Sequence, residues 1–378
     1  MMNFKTISSL FIFLFSTFLI AQNLVKGHVV DENSKSIFNV TIYVDGSTIQ
    51  TKTNNQGNFE LNLPNGQYNL IARADMFENY ILVINTNQKQ NYTIVLEPEI
   101  IALQEAKVKS ISKKDWEYYY QTFLKLFLGT NEAAKKTKIE NPKDLRFSYD
   151  NKAKILTAYS RNPLQITNNY LGYKIEYDLV DFNVDFKSNY ALTLGTALFT
   201  DLNVDSVESK KWKENRNKSY LGSINHFIKA VYDEKIEQEG YDVKRIIRQE
   251  NPAYQKYKDE ILLGAKMTLG SAPPKIIKYL VNQKVPIDSL RIIKEQDKYI
   301  NFKGLYSVVY TKEKEEKEYI KQMGLTYGSS QASIFFLKDD VLKIEENGTY
   351  YHPSNLVVEG YWSWEKIGNM VPMDYKIE

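Results

Sequence analysis

The 378-residue sequence contains no cysteine. That excludes disulfides, thiolate metal sites, a cysteine nucleophile and lipidation of an N-terminal cysteine. Histidine is scarce as well. His28, His226 and His352 are the only three, so a histidine-rich metal site would need all of them to converge. Tryptophan occurs four times against 28 tyrosines, a bias that suits strands and half-wet sheet faces. Neither sign of charge prevails. Forty-nine basic and 46 acidic residues leave a net charge of +3, which gives no electrostatic footprint for nucleic acid. No G-x-S-x-G elbow, glycine-rich phosphate loop, H-E-x-x-H or EF-hand spacing occurs, so the sequence implies no cofactor and no metal.

Hydrophobic residues make up 43% and charged residues 25%, ordinary values for a chain that buries a core. Lys5 precedes an apolar run from Leu10 to Phe15 that continues to Leu19 and Ile20, and Ala21-Gln22 offers a cleavage point. Residues 1–21 therefore read as a signal peptide, with a retained anchor as the alternative. No later stretch is apolar enough to span a bilayer. The expectation is an exported protein that is periplasmic, outer-membrane-associated or secreted.

From residue 22 to 98, short runs with period-two alternation sit between turn residues. Val40, Ile42 and Val44 share one face, as do Phe59, Leu61 and Leu63. Asp45-Gly46, Asn54 to Gly57 and Pro64-Asn65-Gly66 mark the turns. Seven such strands without a helical period predict a β-sandwich. The runs Gly27-His28-Val29-Val30-Asp31, Thr53 to Phe59 and Gly66-Gln67-Tyr68-Asn69-Leu70 resemble the carboxypeptidase regulatory-like domain. Asn54 and Met76-Phe77 depart from that pattern, both at turns. The resemblance implies a transthyretin-like sandwich common at the front of exported proteins and of TonB-dependent receptors in Gram-negative bacteria. It implies no catalytic residue. His28 and Asp31 point to opposite faces of their strand and do not form a metal pair.

Residues 99–111 read as a linker, with Ile100 to Lys109 as a linker or last strand, and residues 112–378 as a larger, β-rich α+β domain with an antiparallel sheet and helical insertions. The whole is mainly β. Ser112 and Asp115 resemble a capping box, and Trp116, Tyr119, Tyr120, Phe123, Leu124 and Phe127 follow at helical spacing up to Gly129. In the run from Tyr170 to Phe186 the apolar parity flips at Leu179-Val180, which predicts a bulge or a crossing between sheets. Asn189 to Thr200 is its predicted antiparallel neighbour. Ser219 is the predicted cap of a helix carrying Ile224, Phe227 and Val231. Glu313 to Glu318 reads as a solvated charge run, Ala332 to Leu337 with Val341 to Glu345 as a hairpin, and Leu356 to Trp364 as a last strand. In that strand Trp362 and Trp364 share a face, and their neighbours favour burial. Leu171 to Ile175, Gly222 to Phe227, Gly360 to Glu365 and Pro372 to Tyr375 resemble segments that follow the regulatory-like domain in exported bacterial proteins. That resemblance carries no activity.

One constellation stands out. On a single continuous helix, Trp212, Arg216, Ser223 and His226 would share about a third of the circumference. Trp212 and Arg216 would stack as a cation–π pair. These four are the candidate ligand-binding residues. Gly222 is the one residue that would break the helix between them. The bland reading is a helix docked on a sheet, with Arg216 and His226 satisfied by neighbours. The function expected is a non-catalytic binding or structural module meeting an outer-membrane protein or a glycan. The alternative is a hydrolase with its site near Ser223 and His226.

Overall fold

The computed structural model describes residues 23–88, 91–99, 111–202, 207–263, 271–325 and 329–377. The signal peptide, the stretch from Ile100 to Lys109 and the start of the insertion at Ser206 lie outside the described residues. Seven strands build the sandwich: β1 (Asn23–Asp31), β2 (Thr41–Val44), β3 (Gln50–Lys52), β4 (Asn58–Leu63), β5 (Gln67–Arg73), β6 (Tyr80–Asn85) and β7 (Asn91–Leu96). They form two sheets, ordered β4-β1-β7 and β3-β2-β5-β6. The alternation seen in the sequence is the packing itself. In β4, Phe59, Leu61 and Leu63 are buried while Asn58, Glu60 and Asn62 are exposed. Gly27 is required because a Cβ there would lie 2.3 Å from the Phe59 ring.

Next come α1 (Lys113–Phe127), α2 (Glu132–Lys135), β8 (Thr137–Ile139), β9 (Leu145–Asp150), β10 (Ile155–Ser160), β11 (Leu164–Asn168), β12 (Tyr173–Asp185) and β13 (Tyr190–Asp201). Ser112 caps α1 by accepting from the Asp115 N–H, as its sequence indicates. The aromatic stripe of α1 packs on the sheet, with Phe123 tilted on Phe182 at 4.7 Å and Phe127 edge-on to Tyr177 at 5.1 Å. The register between β12 and β13 shifts between Leu179 and Asp181, at the parity flip. Tyr173, Ile175 and Tyr177 before the shift, and Phe182 and Val184 after it, stay in one core while Val180 is exposed. The bulge keeps both halves of a thirteen-residue strand on the same side.

The rest comprises α3 (Val207–Tyr220), α4 (Ile224–Tyr232), β14 (Tyr241–Glu250), α5 (Pro252–Leu262), β15 (Ile276–Lys284), α6 (Ile287–Leu290), β16 (Arg291–Lys294), β17 (Asp297–Asn301), β18 (Leu305–Lys314), α7 (Lys317–Met323), β19 (Ser330–Leu337), β20 (Val341–Ile344), β21 (Tyr350–Tyr351), β22 (Leu356–Gly360) and α8 (Tyr361–Trp364). A five-stranded sheet, β15-β14-β18-β19-β22, and a four-stranded sheet, β16-β17-β20-β21, enclose a second core around Phe227, Phe335 and Trp362.

Three expectations change. The hairpin from Ala332 to Glu345 does not form, because β19 and β20 belong to different sheets. Asn355 holds the crossing open: it accepts from the Asp339 N–H at 2.7 Å and donates to the Val341 carbonyl at 2.8 Å. The last strand stops at Gly360, whose φ of 77° starts a helical turn. That turn takes Tyr361, Trp362 and Trp364 off strand periodicity, and all three are buried. The insertion is two helices, and Ser223 rather than Ser219 caps the second.

The sandwich docks on β12 and β13 through its four-stranded sheet. Tyr43 and Ile71 are fully buried there with Leu198. The Tyr43 hydroxyl donates to Asp178 at 3.0 Å and meets Thr196 at 3.0 Å. Arg73 donates to Asp178 at 3.2 Å and pairs with Glu176. The Gly46 N–H donates to Ala197, Phe199 N–H to Ser47 and Met373 N–H to Gly46, at 2.7, 2.9 and 2.8 Å. Asp374 accepts from the Thr48 backbone at 3.0 Å and from its hydroxyl at 2.5 Å.

Candidate functional site

The four residues nominated by the sequence fall into two groups, on two helices. Gly222, at φ 78°, breaks the run between α3 and α4. A side chain there would strike Gln331 at 2.5 Å and Tyr310 at 2.8 Å, so the break is fixed by sterics as well as by backbone conformation.

Trp212 and Arg216, on α3, clasp the turn that leads into β12. The Trp212 indole N–H donates to the Asn169 carbonyl at 3.0 Å. Its ring occupies the space beside Gly172, where a Cβ would come within 2.2 Å. Arg216 donates to the Leu171 carbonyl at 2.7 Å, to the Gly172 carbonyl at 3.0 Å and to Asp201 at 2.6 Å. Its guanidinium stacks on Tyr173, 3.8 Å from the ring centre, so the ring beneath Arg216 is a tyrosine on the sheet where the sequence suggests Trp212.

Ser223 and His226 lie at the start of α4. Ser223 is the N-cap, and its Oγ accepts from the His226 backbone N–H at 3.2 Å. The His226 imidazole is buried. Its Nδ1 accepts from the Gly222 N–H at 3.1 Å and from the Tyr241 hydroxyl at 2.8 Å, and its Nε2 faces Glu239 at 3.3 Å. With Nδ1 accepting, the proton sits on Nε2. Burial holds the imidazole below its ordinary pKa, against the pull of Glu239. The ring's acceptor nitrogen is therefore engaged by Tyr241 and Gly222, and the serine oxygen is engaged by the helix end. Hydrolytic chemistry needs a serine hydroxyl bonded to the imidazole, and these bonds lead elsewhere.

The sequence missed the acidic groups beside this junction. Glu313 to Glu318 is not a solvated run: Glu315 is 6% exposed, and Glu313 and Glu316 are half-buried. Gln331 donates to Glu313 at 3.1 Å, and Lys218 of α3 pairs with Glu316 at 2.9 Å. Burial, with Glu316 and Glu313 adding to it, pushes the Glu365 carboxyl up to about 8, opposed by Lys218. Burial also raises Glu313. The seam brings Glu239, His226, Tyr241, Gln331, Glu313 and Glu365 to one junction, where burial favours the protonated form of Glu365. Among the described residues no three His, Asp or Glu side chains converge as a metal set. Parity gave no signal, because the register of β18 shifts between Tyr310 and Lys314 and the alternation that buries Tyr306, Val308 and Tyr310 does not carry into the run.

On the sandwich, a groove of about 780 Å³ runs over the outer face of the β4-β1-β7 sheet, beside β3. Lys26, His28, Lys52, Asn54, Asn58 and Asn91 line it. His28 bonds to Asn58 at 3.0 Å and to Ser36 at 3.3 Å.

Likeness to solved structures is slight. A DUF3823 family protein from Bacteroides ovatus ATCC 8483 aligns at 12% identity over 48% of this chain and 82% of its own, with a TM-score of 0.18. Another, from Parabacteroides merdae ATCC 43184, aligns at 14% identity over 50% of this chain and 83% of its own, at 0.16. A 9R-lipoxygenase from Cyanothece PCC8801 aligns at 9% identity over 58% of this chain and 48% of its own, at 0.17. Scores this low carry no argument. No curated protein matches the chain. Within the chain, residues 25–108, a span that takes in most of the sandwich, match the family model of the CarboxypepD_reg-like domain.

Proposed function

We propose that this chain is an exported, non-catalytic binding or structural module that acts at the periplasm or outer membrane. One observation carries the reading. The groups best suited to chemistry are consumed by structure: Ser223 caps a helix, and His226 is held between Tyr241, Gly222 and Glu239. No observation favours the hydrolase. The regulatory-like sandwich is clamped to its neighbour by buried bonds, which suits a rigid spacer or presenting module. Its polar groove supplies amide donors and acceptors of the kind that sugar hydroxyls take, so a glycan is the ligand class that fits it. An outer-membrane receptor is the alternative partner class.

The test is a glycan array together with pulldown from an outer-membrane extract, using the mature chain. Retention of a glycan, lost on Asn58→Ala and Asn91→Ala, supports the reading. An array and a pulldown that both come back empty, or hydrolysis of an ester or peptide panel that Ser223→Ala abolishes, would overturn it.

A further inference from the structure

The strand β14 outlasts its inner neighbour. Its pairing with β18 ends at Ile246, and from Ile247 to Glu250 its only sheet partner among the described residues is β15. The result is a two-stranded ribbon with α5 at its end. None of the nine residues of β15 is buried, nor is any residue of α5. A ribbon of two strands is marginal in water on its own, yet this one turns large apolar side chains outward on both faces. Ile247 and its register partner Tyr279 lie on one face, 48% and 46% exposed. Ile276 and Leu280 lie on the other, at 53% and 51%. At the end of α5, Leu262 and Leu263 are 73% and 82% exposed.

The ribbon also carries positive charge. Its described residues, 244–263 and 271–284, hold eight lysines and arginines against Glu250, Asp259 and Glu260. Lys244 pairs with Asp242, Arg248 with Glu359 and Lys284 with Glu237, which leaves Arg245, Lys256, Lys258, Lys275 and Lys278 against the three acids, a surplus of two. Lys278 stands between Ile276 and Leu280 on the same face of the strand.

We propose that this arm docks on an anionic lipid bilayer, with its apolar side chains in the headgroup zone and its lysines against the lipid phosphates. Charge complementarity selects the anionic surface. Exposure on both faces selects a fluid that surrounds the ribbon over a protein, which would cover one face. The outer edge of β15 sets the depth. Its unpaired backbone groups are costly in hydrocarbon, so the arm stops within about 5–10 Å of the boundary between headgroups and acyl chains.

The experiment is co-sedimentation of the mature chain with vesicles of phosphatidylcholine, and of phosphatidylcholine mixed with phosphatidylglycerol. Binding to the mixed vesicles that weakens in high salt is expected. Lys278→Glu moves two charge units and lowers partition by about 30-fold, at roughly fivefold per unit. Leu262→Asp with Leu263→Asp abolishes it. These side chains touch solvent, so circular dichroism and the thermal midpoint stay at wild-type values. Equal binding to neutral vesicles, no binding to either, or wild-type binding by Lys278→Glu overturns the proposal. So does capture of an acidic protein through this arm while vesicles are ignored.

Discussion

Removing one carboxylate, Asp178, tests how the sandwich is held. Asp178 accepts from Tyr43 at 3.0 Å and from Arg73 at 3.2 Å, with the Thr196 hydroxyl at 3.4 Å. The Arg73 and Asp178 side chains are only 16% and 12% exposed. Asp178→Ala leaves the guanidinium with Glu176 alone and the Tyr43 hydroxyl with Thr196 alone. Breaking a buried ion pair by deleting one partner costs about 3–5 kcal/mol. Retention of Glu176 and Thr196 puts the expected loss near the low end, about 3 kcal/mol. Glu176→Ala is the control. Its side chain is 38% exposed, and such a pair is worth about 0–1 kcal/mol. The readout is amide hydrogen exchange at Gly46, Phe199 and Met373, whose N–H groups donate between the sandwich and the rest of the chain. About 3 kcal/mol corresponds to opening roughly 150-fold more often. If Glu176→Ala accelerates these amides as much as Asp178→Ala, or Asp178→Ala leaves them unchanged, the docking is not held by this cluster.

Three further outcomes follow from the seam. Glu365 titrates near 8 when folded, above the ordinary carboxyl range. Its protonated form is the one the fold favours, so its contribution is complete below about pH 4.5 and lost as pH rises through about 8. Glu365→Gln should flatten the calorimetric midpoint across that window. Gly222→Ala places a Cβ against Gln331 and Tyr310 at positive φ and should cost about 2–4 kcal/mol in urea unfolding. Ser223→Ala removes an N-cap bond and should cost about 1 kcal/mol, with the circular dichroism spectrum unchanged. A larger loss would mean that the hydroxyl does more than cap.

Local patterns were legible where one segment decides the outcome. The sandwich strands, the Ser112 cap and the bulge after Leu179 all follow from periodicity along a few residues, because core contact enforces parity one strand at a time. The turn from Tyr361 to Trp364 was not legible, since four residues in an apolar context satisfy strand and helix alike until Gly360 takes a positive φ. The crossing at Asp339 was hidden for another reason. Asp-Asp between two alternating runs is good turn chemistry, and only Asn355, sixteen residues on, sends the runs to separate sheets. The seam gathers residues from α3, α4, β14, β18, β19 and the segment after α8, so no window of sequence contains it.

The tie between Thr48 and Asp374 spans 326 positions, and it sets a timetable. The sandwich holds every strand it needs by residue 96 and can close its own core as soon as those residues emerge. Its first anchorage, at Asp178 and Leu198, comes with β12 and β13, and the Asp374 tie comes last. At about 5–20 residues per second of synthesis, the roughly 100 residues between the end of the sandwich and Leu198 take about 5–20 s. For that interval Tyr43 and Ile71 face solvent on a finished sheet, a sticky surface at the age when a nascent chain is most prone to misassociate. Chains cut short before Met373 would keep the Asp178 and Leu198 contacts and lose only the ties of Met373 and Asp374.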